Sequence, residues 1–499
     1  MSAANVLSHG ADWDFDLLER YDTAIAEVAG EYGLDTYPNQ IEIITSEQMI
    51  DAYASSGLPV GYPHWSYGKE FIRNEQAYRR GMQGLAYEIV INSDPCIAYL
   101  MEENTMTTQA LVIAHACYGH NSFFKGNHLF RQWTAADAIL DYLVFARRYV
   151  MECEERHGAA AVEEVLDACH ALMAHGVDRY RRPAALSYKA EAARLAQREA
   201  YRESQFNDLW RTVPESTAER TTETTKRVFP AEPQENILYF IEKYSPKLEL
   251  WQRELVRIVR KLAQYFYPQA QTKVMNEGWA TFWHYTILNR LHEKGLVDDG
   301  FMLEFLKSHT NVIAQPSFDS KYYSGINPYA LGFAMFRDLR RICEDPDAED
   351  REWFPDLAGS DWLKTLDFAM RNFKDESFIA QYLSPRLMRE FHLFAVADHT
   401  KEDTLHVDSI HDERGYRRVR KLLATQHAQE LRVPDVQVAR FDRDGDRSLT
   451  LRHTRRRGRP LTEAASEVVL HLRRLWGFPV RLETWEDDVR VGDVVECAA

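Results

Sequence analysis

The sequence has little cysteine, no long apolar run and no glycine-rich phosphate loop, and each shortage removes a class of protein. Six cysteines are scattered through 499 residues, at Cys96, Cys117, Cys153, Cys169, Cys343 and Cys497, with no Cys-x-x-Cys pair. That pattern argues against a disulfide-stapled secreted fold and against cysteine-based zinc modules. No apolar stretch approaches the roughly 18 residues that cross a bilayer. The first ten residues have neither a basic n-region nor an apolar h-region. The expectation is a soluble, cytoplasmic chain with reduced thiols and no membrane insertion. Neither a phosphate-binding loop nor a Gly-x-Ser-x-Gly nucleophile elbow is present. Basic residues are in deficit, 60 against 76 acidic, for a net charge of −16. This argues against nucleic-acid binding by the whole chain. The one dense basic run, Arg455-Arg456-Arg457-Gly458-Arg459, has the character of a solvated loop.

What remains is ordinary globular composition, 45% hydrophobic and 27% charged, in a chain long enough to bury a large core. Residues 12–33 have helical periodicity, residues 41–44 suit a strand, and Ser46 is placed to cap a helix reaching Tyr53. Residues 60–82 form an aromatic-rich loop in this reading. Tyr87-Glu88-Ile89-Val90-Ile91 is a strand ended by Asn92-Ser93-Asp94-Pro95. A long helix follows over 105–124, then helical patterns over 132–212, with a charged, solvated helix at 187–212. Residues 213–235 have linker composition, and helices resume over 236–264 and 272–294. Residues 316–330 form a Pro, Gly, Ser and Tyr loop, and more helix follows to about 430. Beyond Pro434, strands at 436–441 and 448–453 flank a turn, with a helix over 461–475 and a strand over 479–484. Asp442-Arg443-Asp444-Gly445-Asp446 lacks the terminal Glu of a calcium loop and is a hairpin turn. The predicted fold is α+β, mainly α with a small sheet: residues 1–430 as a helical core domain and 431–499 as a small ββαβ domain.

Two segments can carry chemistry. In Leu111-Val112-Ile113-Ala114-His115-Ala116-Cys117-Tyr118-Gly119-His120, two histidines stand five apart. The common zinc pattern, His-Glu-x-x-His, spaces them by four, about 40° around an α-helix; five gives about 140°. His115 and His120 can share one ion only if the helix distorts or ends near Gly119. Ala116 occupies the place of the zincin general base. In the second segment, Met275-Asn276-Glu277-Gly278-Trp279-Ala280-Thr281-Phe282-Trp283-His284, Glu277 and His284 lie about 20° apart on one helical face with Thr281. The Asn-Glu-Gly-aromatic-Ala pattern resembles the helix that gives gluzincin-type metallopeptidases their glutamate ligand. His115, His120, Glu277 and His284 are therefore candidate ligands for Zn²⁺, Mn²⁺ or Fe²⁺. Glu88, Asn121, His128, Tyr322, Asn327 and Tyr329 are candidate ligand-binding residues, Glu88 also as an alternative carboxylate or base. His309 is a less specific supporting residue.

These segments, with Tyr323-Ser324-Gly325-Ile326-Asn327-Pro328-Tyr329-Ala330-Leu331-Gly332, Gly176-Val177-Asp178-Arg179-Tyr180 and Gly359-Ser360-Asp361-Trp362-Leu363, resemble the SpoVR family, stage V sporulation protein R and its relatives. The likeness runs over nearly the whole chain, the ββαβ end included. It implies a role in spore cortex formation in spore formers, and in stress or stationary-phase physiology elsewhere, with a PrkA-type serine kinase system as partner. It supplies no catalytic residues. Two readings stand: a regulator on a zincin-like metal-binding scaffold, or an active metal-dependent hydrolase, a peptidase or amidase.

Overall fold

The computed structural model describes residues 6–54, 61–62, 64, 88–179, 193, 196–197, 229–317, 320–323, 325–393, 396–397, 406–407, 411–428, 433–455, 461–462, 465–486, 489–492 and 494–497. The aromatic loop at 60–82 and the charged segment at 187–212 fall almost wholly outside them, as do residues 213–228 of the predicted linker. The described chain is mainly helical with small mixed sheets. It forms two compact units, one of residues 1–151 with 265–429, the other of residues 152–264 with 430–499.

In the first unit, α1 (Phe15–Glu31) is capped by Asp14, whose side chain accepts from the Leu17 N–H at 2.7 Å. Its apolar stripe of Leu18, Tyr21, Ile25 and Val28 is buried. Three strands follow: β1 (Asn39–Ile44), β2 (Glu88–Ile91) and β3 (Cys96–Met101). The order is β1-β3-β2, with β1 parallel and β2 antiparallel to β3. Strand β3 is absent from the sequence reading. Its run Cys96-Ile97-Ala98-Tyr99-Leu100-Met101 is buried on both faces of the central strand, so it shows no alternation to read.

Thr105 caps α2 (Met106–Ile113) through the Thr108 N–H. The helix does not continue as an α-helix. Residues Ala114–His120 form a π-helix, and the Asn121 N–H reaches back five residues to the Ala116 carbonyl. Three further helices define the site: α3 (Lys273–Glu293), α4 (Asp299–Val312) and α5 (Pro328–Glu344). Helix α3 is buried almost all round, with Trp279, Phe282 and Trp283 in the core beside Phe336. Its N-terminus is capped from a distant element. Asp375, at the start of α6 (Asp375–Tyr382), accepts from the Val274 and Met275 N–H groups, each at 2.9 Å. A short ribbon, β4 (Val396–Ala397) with β5 (His406–Val407), completes the described strands of this unit.

The second unit carries β6 (Asp435–Phe441), β7 (Leu449–Thr454), β8 (Val480–Glu486), β9 (Val489–Arg490) and β10 (Val495–Cys497). Strands β6 and β7 form the expected hairpin around the Asp442–Asp446 turn. The Ala465–Trp476 helix crosses to β8, which pairs parallel to β7. The short β9 and β10 extend this ββαβ unit. Trp476 packs edge-on to Phe441 and stacks near Phe240 of the Ile237–Tyr244 helix. Glu242, on that helix, is buried and held by Arg257 and Arg260 at 3.0 Å each.

Candidate metal centre

The π-helix resolves the awkward spacing of the two histidines. Its i→i+5 bonding widens each turn, so residues five apart come onto one face. His115 and His120 therefore both face the same point, their ring centroids 4.6 Å apart. Small residues bring the surrounding helices onto that face. A Cβ on Gly119 would lie 2.6 Å from the Ala280 Cα, and one on Gly278 would lie 2.3 Å from the Gly332 carbonyl carbon. The π-helix, α3 and α5 thus cross almost backbone to backbone, which accounts for Gly278 and Ala280 in the second segment. Glu277 projects from between them.

Four side chains meet there. His115 Nε2 is 3.3 Å from Glu88 Oε1 and 3.8 Å from Glu277 Oε2. His120 Nε2 is 4.0 Å from Glu88 Oε1 and 3.5 Å from Glu277 Oε2. Ligand atoms held at about 2.1 Å from a common tetrahedral ion stand about 3.4 Å apart, so these separations suit one shared cation. Ligand atoms of Glu88, His115 and His120 all lie within 4.8 Å of one another, and Glu277 Oε2 lies within 3.8 Å of both Nε2 atoms. Glu277 Oε2 is buried and accepts no hydrogen bond among the described residues, a costly state for a carboxylate oxygen unless a cation occupies the gap. The imidazoles are 5% and 8% exposed and the carboxylates 16% and 17%.

The electrostatics separate the two carboxylates. Burial pushes Glu88 up to about 7, with the Glu277 charge adding and His115 opposing. Burial also pushes Glu277 up, but His120, His115 and the Tyr329 hydroxyl outweigh it and hold the carboxyl below its ordinary value. Burial draws His115 down, yet Glu88 and Glu277 together hold it above the usual imidazole range. His120 is pushed by burial down to about 4, against the pull of Glu277.

Each histidine is oriented by its second nitrogen. His120 Nδ1 lies 2.9 Å from Asn276 Oδ1, so it donates there and leaves the Nε2 lone pair facing the carboxylates. His115 Nδ1 lies 2.9 Å from His284 Nδ1, and His284 Nε2 lies 2.9 Å from His309 Nδ1. His284, a candidate ligand by spacing, thus stands behind His115 rather than beside it, with both ring nitrogens engaged.

The other candidates divide. Tyr329 joins the cluster, its ring stacked near His115 and its hydroxyl bonded to Glu277. Asn121 ties down residues 37–39 through the Tyr37 backbone and the Asn39 side chain. His128 bonds the Arg371 carbonyl at 3.1 Å. Asn327 caps α5 and bonds the Val312 and Ala314 carbonyls. Tyr322 is 71% exposed, beside Lys321. Asn276 and Asp375 carry no signal of their own in the sequence. The Asn-Glu-Gly run contains Asn276, but only the fold shows which imidazole it meets.

Comparisons with known proteins bear on identity. The family described as SpoVR like protein matches residues 12–432, and the SpoVR-like C-terminal domain matches residues 434–487. The chain is 60% identical over 491 residues to a protein of Escherichia coli (strain K12) described as "Uncharacterized protein YcgB", covering 98% of this chain and 96% of that one. No solved structure matches. No helix among the described residues is long and apolar enough to cross a membrane. With one family covering nearly the whole length and a relative this similar end to end, the chain belongs to the SpoVR family.

Proposed function

We propose that this chain is a metal-dependent hydrolase, a peptidase or amidase, on a zincin-like helical scaffold. His115, His120 and Glu277 would hold a divalent transition-metal ion such as Zn²⁺ or Fe²⁺, both of which take a two-nitrogen, one-carboxylate donor set. The carrying observation is the buried Glu277 Oε2, which faces both Nε2 atoms and has no hydrogen bond among the described residues. Such an ion, when bound, supplies Lewis acidity and an activated water. Glu88 takes the part of general base. The zincin base sits on the histidine helix, where this chain has Ala116; Glu88 reaches the same imidazoles from β2 instead. Tyr329, bonded to Glu277, is placed to offer its hydroxyl to a polar substrate group. The physiological setting we propose is the one the family resemblance implies: stress, stationary phase or cortex-type envelope biology, alongside a PrkA-type serine kinase system.

The test is metal analysis of the purified full chain, followed by assay against amide and peptide libraries. Stoichiometric metal that is lost in H115A and E277A supports the site. Retention of metal with loss of hydrolysis in E88Q supports the base. A folded wild-type chain that takes up no metal from supplemented medium defeats the reading.

A further inference from the structure

The row of three imidazoles that begins at His115 and runs back from the site admits a sharper inference, which rests on the metal reading above. His115, His284 and His309 are buried, and their two contacts are both 2.9 Å. A nitrogen–nitrogen contact of that length holds one hydrogen, since two lone pairs or two hydrogens would repel. Each neutral ring carries one N–H. With all three rings neutral, as metal binding at His115 Nε2 requires of that ring, the row has two internally consistent arrangements. In one, His115 donates from Nδ1 to His284, and His284 donates from Nε2 to His309. His115 then presents a bare Nε2 to the carboxylates. In the other, every hydrogen lies on the opposite side, and His115 presents Nε2–H to Glu88 and Glu277. His120 has no such choice, because Asn276 Oδ1 can only accept.

We infer that His284 and His309 are positioning residues, a tautomer ladder that makes metal binding at His115 conditional on the arrangement of two rings behind it. Filling the site moves the ladder from the second arrangement to the first. His115 gives up its Nε2 proton on the carboxylate side and takes the Nδ1 proton of His284. His284 takes the Nδ1 proton of His309 on its own Nε2, and His309 takes one from water on its Nε2. One proton leaves at the site and one enters at His309. Each ring keeps a single proton and no ring changes charge. Which nitrogen of a histidine is metallated follows from the hydrogen bond at the other one, and here that bond is set two rings away.

The test compares H284L, H284Q and H309L in the full chain, with Co²⁺ as probe. The readouts are its affinity and its visible spectrum, alongside thermal melting of the metal-free protein. A glutamine amide offers one acceptor and one donor, as the ladder requires of its middle rung; leucine offers neither. The expected result is a loss of Co²⁺ affinity of about 10–100-fold in H284L, the usual range for outer partners of a ligand. H284Q recovers most of it, and H309L falls between. A structural role alone would follow metal-free melting and show no rescue by glutamine. Wild-type affinity in both H284L and H309L, or H284Q no better than H284L, overturns the ladder. If H284L does not fold, H309L carries the test, since His309 does not bond His115. A wild-type chain that gives no Co²⁺ spectrum overturns the metal reading itself, and the ladder with it.

Discussion

The crossing of α3 and α5 at Gly278 and Gly332 offers a direct test of how the site is assembled. In G278A the new methyl would meet the Gly332 carbonyl carbon at 2.3 Å and its Cα at 2.4 Å, where ordinary contact begins near 3.4 Å. The obstruction is backbone, so no side chain can swing away. The helices must separate by about 1 Å. Overpacking of this kind costs about 1–3 kcal/mol, offset by up to about 1 kcal/mol from the better helix propensity of alanine. The net is a loss of between about 0 and 3 kcal/mol, each kcal/mol being worth roughly 2–4 °C of melting temperature for a large unit. The larger effect falls on the neighbouring residue. Metal ligands must sit within about 0.2 Å of their positions, and a helix displaced by several times that carries Glu277 out of reach of the imidazoles. G278A is therefore expected to lose metal much more than it loses stability. The assay is a melt with and without chelator, together with metal analysis. Gly30, on the exposed side of α1 where an added Cβ would meet nothing within 4 Å, is the control: G30A should stabilise slightly, by up to about 1 kcal/mol. A G278A protein that melts like wild type and keeps its metal would refute the claim that this close crossing sets the ligand geometry.

Four further outcomes are expected. D375A leaves the buried Val274 and Met275 N–H groups without their acceptor and should cost about 2 kcal/mol or more by urea denaturation. Burial pushes the Asp375 carboxyl up to about 7, against the pull of those N–H groups. Its folded value thus lies above its unfolded one, so its contribution is fully favourable below about pH 4 and lost as pH rises to about 7. A D375N protein, though weaker at low pH, should show a flatter stability profile across that window. N276L removes the acceptor for His120 Nδ1 and should weaken metal binding about 10–100-fold, read by competition with a coloured chelator. Stripping the metal should lower the melting temperature by an amount that grows with ion concentration, about 2.7 kcal/mol at a hundred times Kd; a melt indifferent to both chelator and added metal would count against a bound ion.

The parts legible in the sequence are those with a local signal. Helix α1 has a cap and a stripe, and the C-terminal hairpin has alternation on both sides of a turn. The two chemistry-bearing segments stood out because histidine and glutamate are rare in apolar runs. What could not be read was set by partners distant in the chain. Strand β3 is apolar on both faces because β1 and β2 flank it. The cap of α3 comes from Asp375, a hundred residues on. His284 shares a helical face with Glu277, as its spacing requires. Face alone does not fix depth along the helix, and two turns further on the partner is the back of His115 rather than its carboxylate-facing edge. A unit assembled from residues 152–264 and 430–499 leaves no single shift of composition to mark its limits.

The histidine spacing departs from the zinc motif, and the reason lies in where the carboxylate comes from. In the His-Glu-x-x-His helix, ligands and base share one regular helix, so the base must follow the first histidine directly. Here Ala116 fills that position, is fully buried, and has no carboxylate to offer. The carboxylate arrives on β2, whose Glu88 is held opposite Leu100 of β3. A carboxylate fixed to a sheet frees the histidine helix from presenting one, but both imidazoles must still face the strand. Four-residue spacing on an α-helix would meet that need at no local cost. Five-residue spacing meets it only through a π-turn, a rare conformation with poorer hydrogen bonding than the α-helix. The π-turn also places Gly119, between the histidines, against Ala280 at a separation only glycine permits. The π-turn and the close crossing therefore depend on each other. Together they set His115 and His120 against Glu277, which neither would do alone.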